Sequence, residues 1–106
     1  MNKPGPEALF WQIAAEMYSD EKVKEGTIMG FKCLRFDEAF FASLDRKTHA
    51  LIIKLPKDRI KTVLDDLGGK PFAPAGRVFK EWVSIERPDY KSWKQLMSEA
   101  KNFVSS

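Results

Sequence analysis

The stretch Lys54–Arg77, KLPKDRIKTVLDDLGGKPFAPAGR, decides how this chain folds. It starts as the end of a strand, enters a helix opened by Pro56, and reaches a stop at Gly68-Gly69. Proline suits the first turn of a helix, and glycine readily takes the left-handed conformation that ends one. The stretch therefore predicts a strand, a helix and a turn rich in proline and glycine, which leads into a further strand. It contains no catalytic motif.

Strand-forming residues precede this stretch in three segments with short links. The segments are Thr27–Phe36, Ala39–Leu44 and His49–Leu55, and the links are turns at Asp37-Glu38 and Asp45–Thr48. A parallel pair of strands needs a long crossover connection, whereas an antiparallel pair needs only a tight turn. The three segments are therefore expected to form an antiparallel meander.

Two further helices are expected at the ends of the chain. The first runs from Pro6 to about Ser19, and the last follows Asp89, which is placed to cap it. A strand over Val78–Ile85 precedes the last helix. The apolar stripe of that helix consists of Trp93, Leu96, Met97, Ala100, Phe103 and Val104. The predicted fold is α+β: a helix, a three-stranded antiparallel meander, a helix, a β-hairpin and a C-terminal helix packed on one sheet.

Composition indicates one folded domain. The chain has 106 residues, of which 43% are apolar and 31% charged, as is usual for a globular protein. We expect a single domain over residues 1–106, with residues 1–5 as a flexible lead. The net charge of +3 is too small to imply a nucleic-acid partner by itself, but it is compatible with one.

Cysteine usage and hydropathy point to the cytoplasm. The single cysteine, Cys33, cannot form a disulfide within the chain, which favours a reducing compartment. No apolar run approaches the length of a membrane span, and Pro4, Gly5 and Pro6 interrupt the N-terminal residues where a signal peptide would be apolar. We expect a cytoplasmic protein without membrane association.

The residues of catalysis and metal binding are scarce. Metal sites need several converging ligands, but the chain has one histidine, His49, and one cysteine. Cys33 alternates with polar neighbours in a strand, which favours packing over nucleophilic chemistry. Gly68-Gly69 follows a helix, whereas a phosphate-binding loop precedes one. These patterns predict a non-enzymatic protein without a cofactor.

Basic residues form two groups that are candidates for nucleic-acid binding. Arg46 and Lys47 mark the tip of a hairpin, while Lys54 and Lys57 surround the start of the second helix. Together with Arg77 they form the predicted contacts of a nucleic-acid hypothesis. Acidic residues interleave with the second group, so a solvated charged face is the simpler interpretation.

Two tryptophans are candidates for a partner surface. Trp93 belongs to the stripe of the last helix, which predicts a core position. Trp11 flanks the apolar face of the first helix, and Trp82 is out of phase with its apolar neighbours, so it is expected on the other face of the sheet. An exposed tryptophan on a small domain suggests an interface, and packing at the rim of the monomer is the alternative.

Several motifs in a fixed order resemble those of a known family. TIMGFKCLRF, FFASL, LIIKLP, GGKPFAPAGR, EWVSI and AKNFV follow one another within residues 25–104. Their order and spacing resemble the TfoX N-terminal domain family. The resemblance implies a small α+β domain and no catalytic residues. In longer members a C-terminal helical domain follows, and the protein regulates competence genes. Since this chain ends at Ser106, it is expected to be a stand-alone member.

A more distant similarity is to the MmcQ/YjbR group, for which DNA binding through paired wings has been proposed. The wings would correspond here to Arg46-Lys47 and to the region from Arg77 to Lys80. Three functions remain open from the sequence. The first is an interaction or regulatory domain that binds a protein partner or a second copy of itself. The others are a nucleic-acid-binding module and a small-ligand-binding domain.

Overall fold

The computed structural model describes residues 5–28, 31–45, 47–73 and 76–105. Within them the chain forms three helices and a six-stranded antiparallel sheet, which confirms the α+β prediction. In chain order the elements are α1 (Pro6–Met17), β1 (Val23–Ile28), β2 (Phe31–Phe36), β3 (Ala39–Leu44), β4 (Leu51–Lys54), α2 (Lys57–Asp66), β5 (Lys70–Pro71), β6 (Trp82–Ile85) and α3 (Tyr90–Ser105). The strand order across the sheet is β1-β2-β3-β4-β6-β5.

The segment predicted as one strand, Thr27–Phe36, is divided between two. β1 and β2 are antiparallel neighbours, and Ile28 pairs with Phe31. The prediction missed β1 because Lys24, Glu25 and Gly26 give this strand no apolar alternation. Polar residues are common in an edge strand, which has a sheet neighbour on one side only. The meander therefore has four strands instead of three. Residues 29–30 lie outside the described residues, as do residues 1–4 of the expected flexible lead.

β4 begins at Leu51, two residues later than predicted. The turn before it is longer because Asp45 organises it. Asp45 Oδ1 accepts hydrogen bonds from the backbone N–H groups of Lys47 (2.7 Å) and Thr48 (3.1 Å). His49 then takes a left-handed conformation with φ 61°, which does not belong to a strand. Local side-chain hydrogen bonds thus outweigh the strand propensity of the apolar residues that follow.

The strand predicted over Val78–Ile85 is confined to its second half, β6. Phe79 matches Val83 and Ile85 in phase, yet it lies in an irregular segment and is 38% exposed. The backbone N–H of Phe79 instead donates to the carbonyl of Phe72 at 3.0 Å. The short β5 pairs with β6, so the predicted β-hairpin is present. Residues 74–75 of the proline-rich turn lie outside the described residues.

One apolar cluster joins the three helices to a single face of the sheet. α3 packs on β2, β3 and β4, α2 packs on β6, and α1 packs on α3. Trp93 is fully buried in this cluster, and its Nε1–H donates to the carbonyl of Arg87 at 3.0 Å. Asp89 Oδ2 accepts a hydrogen bond from the backbone N–H of Ser92 at 2.9 Å, which confirms the predicted cap of α3. The buried residues of its predicted stripe are Trp93, Leu96, Met97 and Ala100.

The register separates the two faces of the sheet. Ile53 pairs with Val83, and both are fully buried against the helices. The next pair, Lys54 and Trp82, lies on the opposite face because successive side chains alternate along a strand. Trp82 is half-buried there, as its phase in the sequence predicts. This opposite face carries the candidate site.

Gly69 is required where α2 ends against the sheet. A Cβ atom at this position would lie 2.7 Å from Val63 Cγ1 and 3.1 Å from Val83 Cγ2. We expect Gly69→Ala to lower the free energy of unfolding by about 1–3 kcal/mol through overpacking. Urea denaturation followed by circular dichroism measures the change. Gly5→Ala is the control for an uncrowded position, since nothing lies within 4 Å of a Cβ atom there; because Gly5 is the N-cap of α1, we expect a loss smaller than that of Gly69→Ala. Equal stability of the two variants would contradict the expected clash.

Candidate functional site

A groove of about 570 Å³ opens where β4 ends and β6 begins. We call it the basic groove and define it by Lys54, Lys57 and residues 77–82, which line it. Lys54 comes from the end of β4, and Lys57 is the first residue of α2. The remaining residues belong to the irregular segment before β6 and to its first residue, Trp82. Positions more than twenty residues apart in the chain therefore form one surface.

Backbone pairing holds the two sides of the groove together. Lys54 is the cross-strand partner of Trp82. The N–H of Leu55 donates to the carbonyl of Glu81 at 2.9 Å, which continues the β4–β6 ladder by one residue. Pro56 then turns the chain into α2, and Lys57 reaches the groove. Sheet hydrogen bonds, which do not depend on the side chains, thus place Lys54 next to Trp82.

The basic groove has an excess of positive charge. Four cations line it, Lys54, Lys57, Arg77 and Lys80, against one acid, Glu81. Among the residues that the structure describes, none of the four cations takes part in an ion pair, although cations elsewhere do so, such as Arg59 with Glu99 at 2.8 Å. Cations that converge without neutralisation create a positive potential that attracts anions.

Aromatic rings form the apolar part of this surface. The ring centroids of Phe72 and Phe79 are 5.7 Å apart, and those of Phe72 and Trp82 are 6.4 Å apart. The Arg77 guanidinium lies 5.8 Å from the centroid of Phe79, at a cation–π distance. The backbone N–H of Trp82 donates to the carbonyl of Phe79 at 3.1 Å, which brings these two residues close together. The groove therefore combines aromatic rings with cations.

The structure brings together three of the five basic residues predicted from sequence. Lys54, Lys57 and Arg77 line the groove. Lys47 is exposed in the β3–β4 turn, at the end of β4 opposite to Lys54. Arg46 lies outside the described residues. Of the two regions matched to paired wings, the one from Arg77 to Lys80 lines the groove, whereas Lys47, the described residue of the other, does not.

The two candidate tryptophans have different surroundings. Trp82 lines the groove next to the predicted cations. Trp11 is half-buried and packs against the core cluster, with its ring edge-on to Phe10 at 4.9 Å and 86°. The same role was predicted for these two residues from the sequence, but Trp82 lines the basic groove and Trp11 does not.

Sequence reasoning missed the aromatic partners of Trp82. It assigned Phe79 to the apolar phase of a strand and gave no role to Phe72. The stretch Arg77–Trp82, RVFKEW, does contain a signal, since it interleaves two cations with two aromatic residues. Such interleaving is typical of surfaces that bind single-stranded nucleic acids.

The reactive side chains considered from the sequence, Cys33 and His49, do not line the groove. Cys33 is buried in β2, as its packing role predicts, and His49 is exposed in the β3–β4 turn. No three or more His, Cys, Asp or Glu side chains are grouped to hold a metal ion within the described ranges.

None of the helices in the described part of the chain is long and apolar enough to cross a membrane.

Comparisons with family models, with curated proteins and with solved structures find no match to this chain. The resemblance to the TfoX N-terminal domain therefore stays a prediction that rests on the quoted motifs.

Proposed function

We propose that this protein is a non-enzymatic binding domain whose basic groove captures nucleic acid through its phosphates. The observation that carries the proposal is the convergence of four cations on a groove with a single acid, Glu81. Two cations come from the corner between β4 and α2, and two come from the segment before β6. The proposal is compatible with a cytoplasmic relative of the TfoX N-terminal domain.

Electrostatics favours a polyanion over a single small anion. Cations from separate chain segments contact several phosphates of one strand at once, and each contact releases condensed counterions. Lys57, Arg77 and Lys80 are exposed, so long anionic ligands reach them without unfolding the domain. The groove is also open to solvent, whereas most small-ligand pockets enclose their ligand.

The salt dependence of binding tests the proposal. Fluorescence anisotropy of a labelled oligonucleotide is measured with the full chain between about 50 and 300 mM salt. Three or four phosphate contacts predict a slope of roughly −2 to −3.5 in a plot of log K against log[salt]. Absence of binding at the lowest salt concentration, or an affinity that does not change with salt, would refute the proposal.

Protein binding is the second candidate function, and it has a specific observation in its favour. Val78 is 55% exposed and Phe79 is 38% exposed beside Trp82, which gives the groove an apolar rim. Exposed apolar and aromatic residues are typical of interaction surfaces, including contacts between two copies of one chain. Light scattering separates the candidates, because self-association raises the solution mass without nucleic acid and persists at high salt.

A further inference from the structure

The aromatic residues of the groove indicate which form of nucleic acid, single-stranded or duplex, suits it better. Phosphate contacts alone do not distinguish single strands from duplexes, because both present phosphates. Rings that are accessible to solvent add a second requirement, since stacking needs a base with a free π-face. Bases in a duplex are stacked on each other, so their π-faces are not available to the protein.

Phe79 and Trp82 have the properties that stacking requires. Phe79 is 38% exposed and Trp82 is half-buried, although both are large and apolar. Phe79 and Trp82 share the ring of Phe72 as a neighbour, at centroid distances of 5.7 and 6.4 Å, and this packing restricts both rings before a ligand arrives. A fixed ring loses little conformational entropy on binding, which favours affinity. Neither ring belongs to the core cluster.

The cations are placed next to these rings. Lys54 is the cross-strand neighbour of Trp82 on the same face of the sheet. The Arg77 guanidinium lies 5.8 Å from the centroid of Phe79, and Lys80 and Glu81 lie between the two aromatic positions in the chain. A single strand presents bases and phosphates at every nucleotide, so it satisfies rings and cations at the same time.

We propose, building on the proposed function, that the basic groove binds single-stranded nucleic acid with bases stacked on Phe79 and Trp82. Duplexes bind more weakly because they engage the cations only. Stacking on these rings should tolerate any sequence, because every base has a π-face. Unstructured DNA and RNA strands of the same length are both ligands, and their relative affinity reports any contact to the 2′-hydroxyl.

The test compares oligo(dT), oligo(U), a DNA duplex and inorganic polyphosphate as ligands of the full chain. The variants are Trp82→Leu and Phe79→Leu, which keep an apolar side chain but remove the ring. We expect each variant to bind the single strands about 5- to 150-fold more weakly, as the loss of one stacked base predicts. Duplex and polyphosphate binding should not change. Tryptophan fluorescence of the wild-type protein should be quenched by oligo(dT) and not by polyphosphate.

The outcomes distinguish this inference from the function on which it rests. Equal binding of single strands, duplex and polyphosphate, unaffected by both leucine variants, would overturn stacking and leave phosphate capture intact. Failure of every ligand to bind would overturn both. Circular dichroism checks the fold of each variant. If Trp82→Leu does not fold, Phe79→Leu and the wild-type quenching decide the question, because Phe79 lies outside the core cluster.

Discussion

Replacing both Lys57 and Arg77 by glutamate is expected to weaken nucleic-acid binding by on the order of a hundredfold at 50 mM salt, with a smaller salt slope. Each phosphate contact with a single strand contributes roughly 0.7 to the slope, so two lost contacts reduce it by about 1.4. Both side chains are exposed, and the structure describes no ion pair for either. The fold should therefore be retained. Anisotropy titrations at several salt concentrations measure affinity and slope together.

The matched control changes the net charge by the same amount elsewhere. Lys24 on β1 and Lys91 on α3 are exposed and do not line the groove. Their double replacement by glutamate should lower affinity only slightly, through the general field. Lys47→Glu adds a test of the hairpin tip. If the control or Lys47→Glu weakens binding as much as Lys57→Glu/Arg77→Glu does, the groove is not the binding site.

The second prediction with a large expected effect concerns the stability of the fold, and it depends on the burial of Trp93. This side chain is fully buried in the cluster between α3 and the sheet. Trp93→Ala should lower the free energy of unfolding by about 3–5 kcal/mol, because it removes apolar contacts and leaves a cavity. It also deprives the Arg87 carbonyl of its 3.0 Å hydrogen bond. Small domains are stable by only about 5–15 kcal/mol in total, so much of the stability should be lost.

Thermal and urea denaturation followed by circular dichroism measure this loss. Trp93→Phe keeps a ring in the core and should be affected less than Trp93→Ala. Trp11→Ala removes a tryptophan that is only half-buried and should also cost less. A loss below about 1 kcal/mol in Trp93→Ala, within the usual range for ordinary substitutions, would show that the packing around α3 is wrongly described.

The sequence predicts the α+β class and the helices well because their signals are local. Pro56 and Gly68 bound α2, and Gly68 has the expected positive φ of 72°. The apolar stripe of α3 is read directly from its spacing. β1 could not be separated from β2 because an edge strand with Lys24 and Glu25 lacks alternation. The prediction of a strand at Phe79 was wrong for another reason. Alternation of apolar residues predicts which side chains share a face, but it does not determine at which residue strand pairing starts.

The candidate site was predictable only in part, because tertiary pairing creates it. Lys54 and Lys57 are neighbours in sequence, so their grouping is visible without a structure. Arg77 joins them because β4 pairs with β6, and the order of strands cannot be read from local patterns. Lys47 is separated from the groove for the same reason, because its position in the β3–β4 turn is also set by the order of the strands. The sequence predicted that Trp82 lies on the sheet face opposite the helices. It did not predict that Phe72 and Phe79 lie near it, because their positions depend on the irregular segment around Phe79.

The groove as a nucleic-acid site is tested most directly by mapping the contact on the protein. ¹⁵N–¹H correlation spectra of the labelled protein are recorded during titration with oligo(dT). We predict that the largest shifts occur at Lys54, Lys57 and residues 77–82, including the indole N–H of Trp82. Shifts that concentrate at the β3–β4 turn around Lys47, or an unchanged spectrum at low salt, would contradict the account.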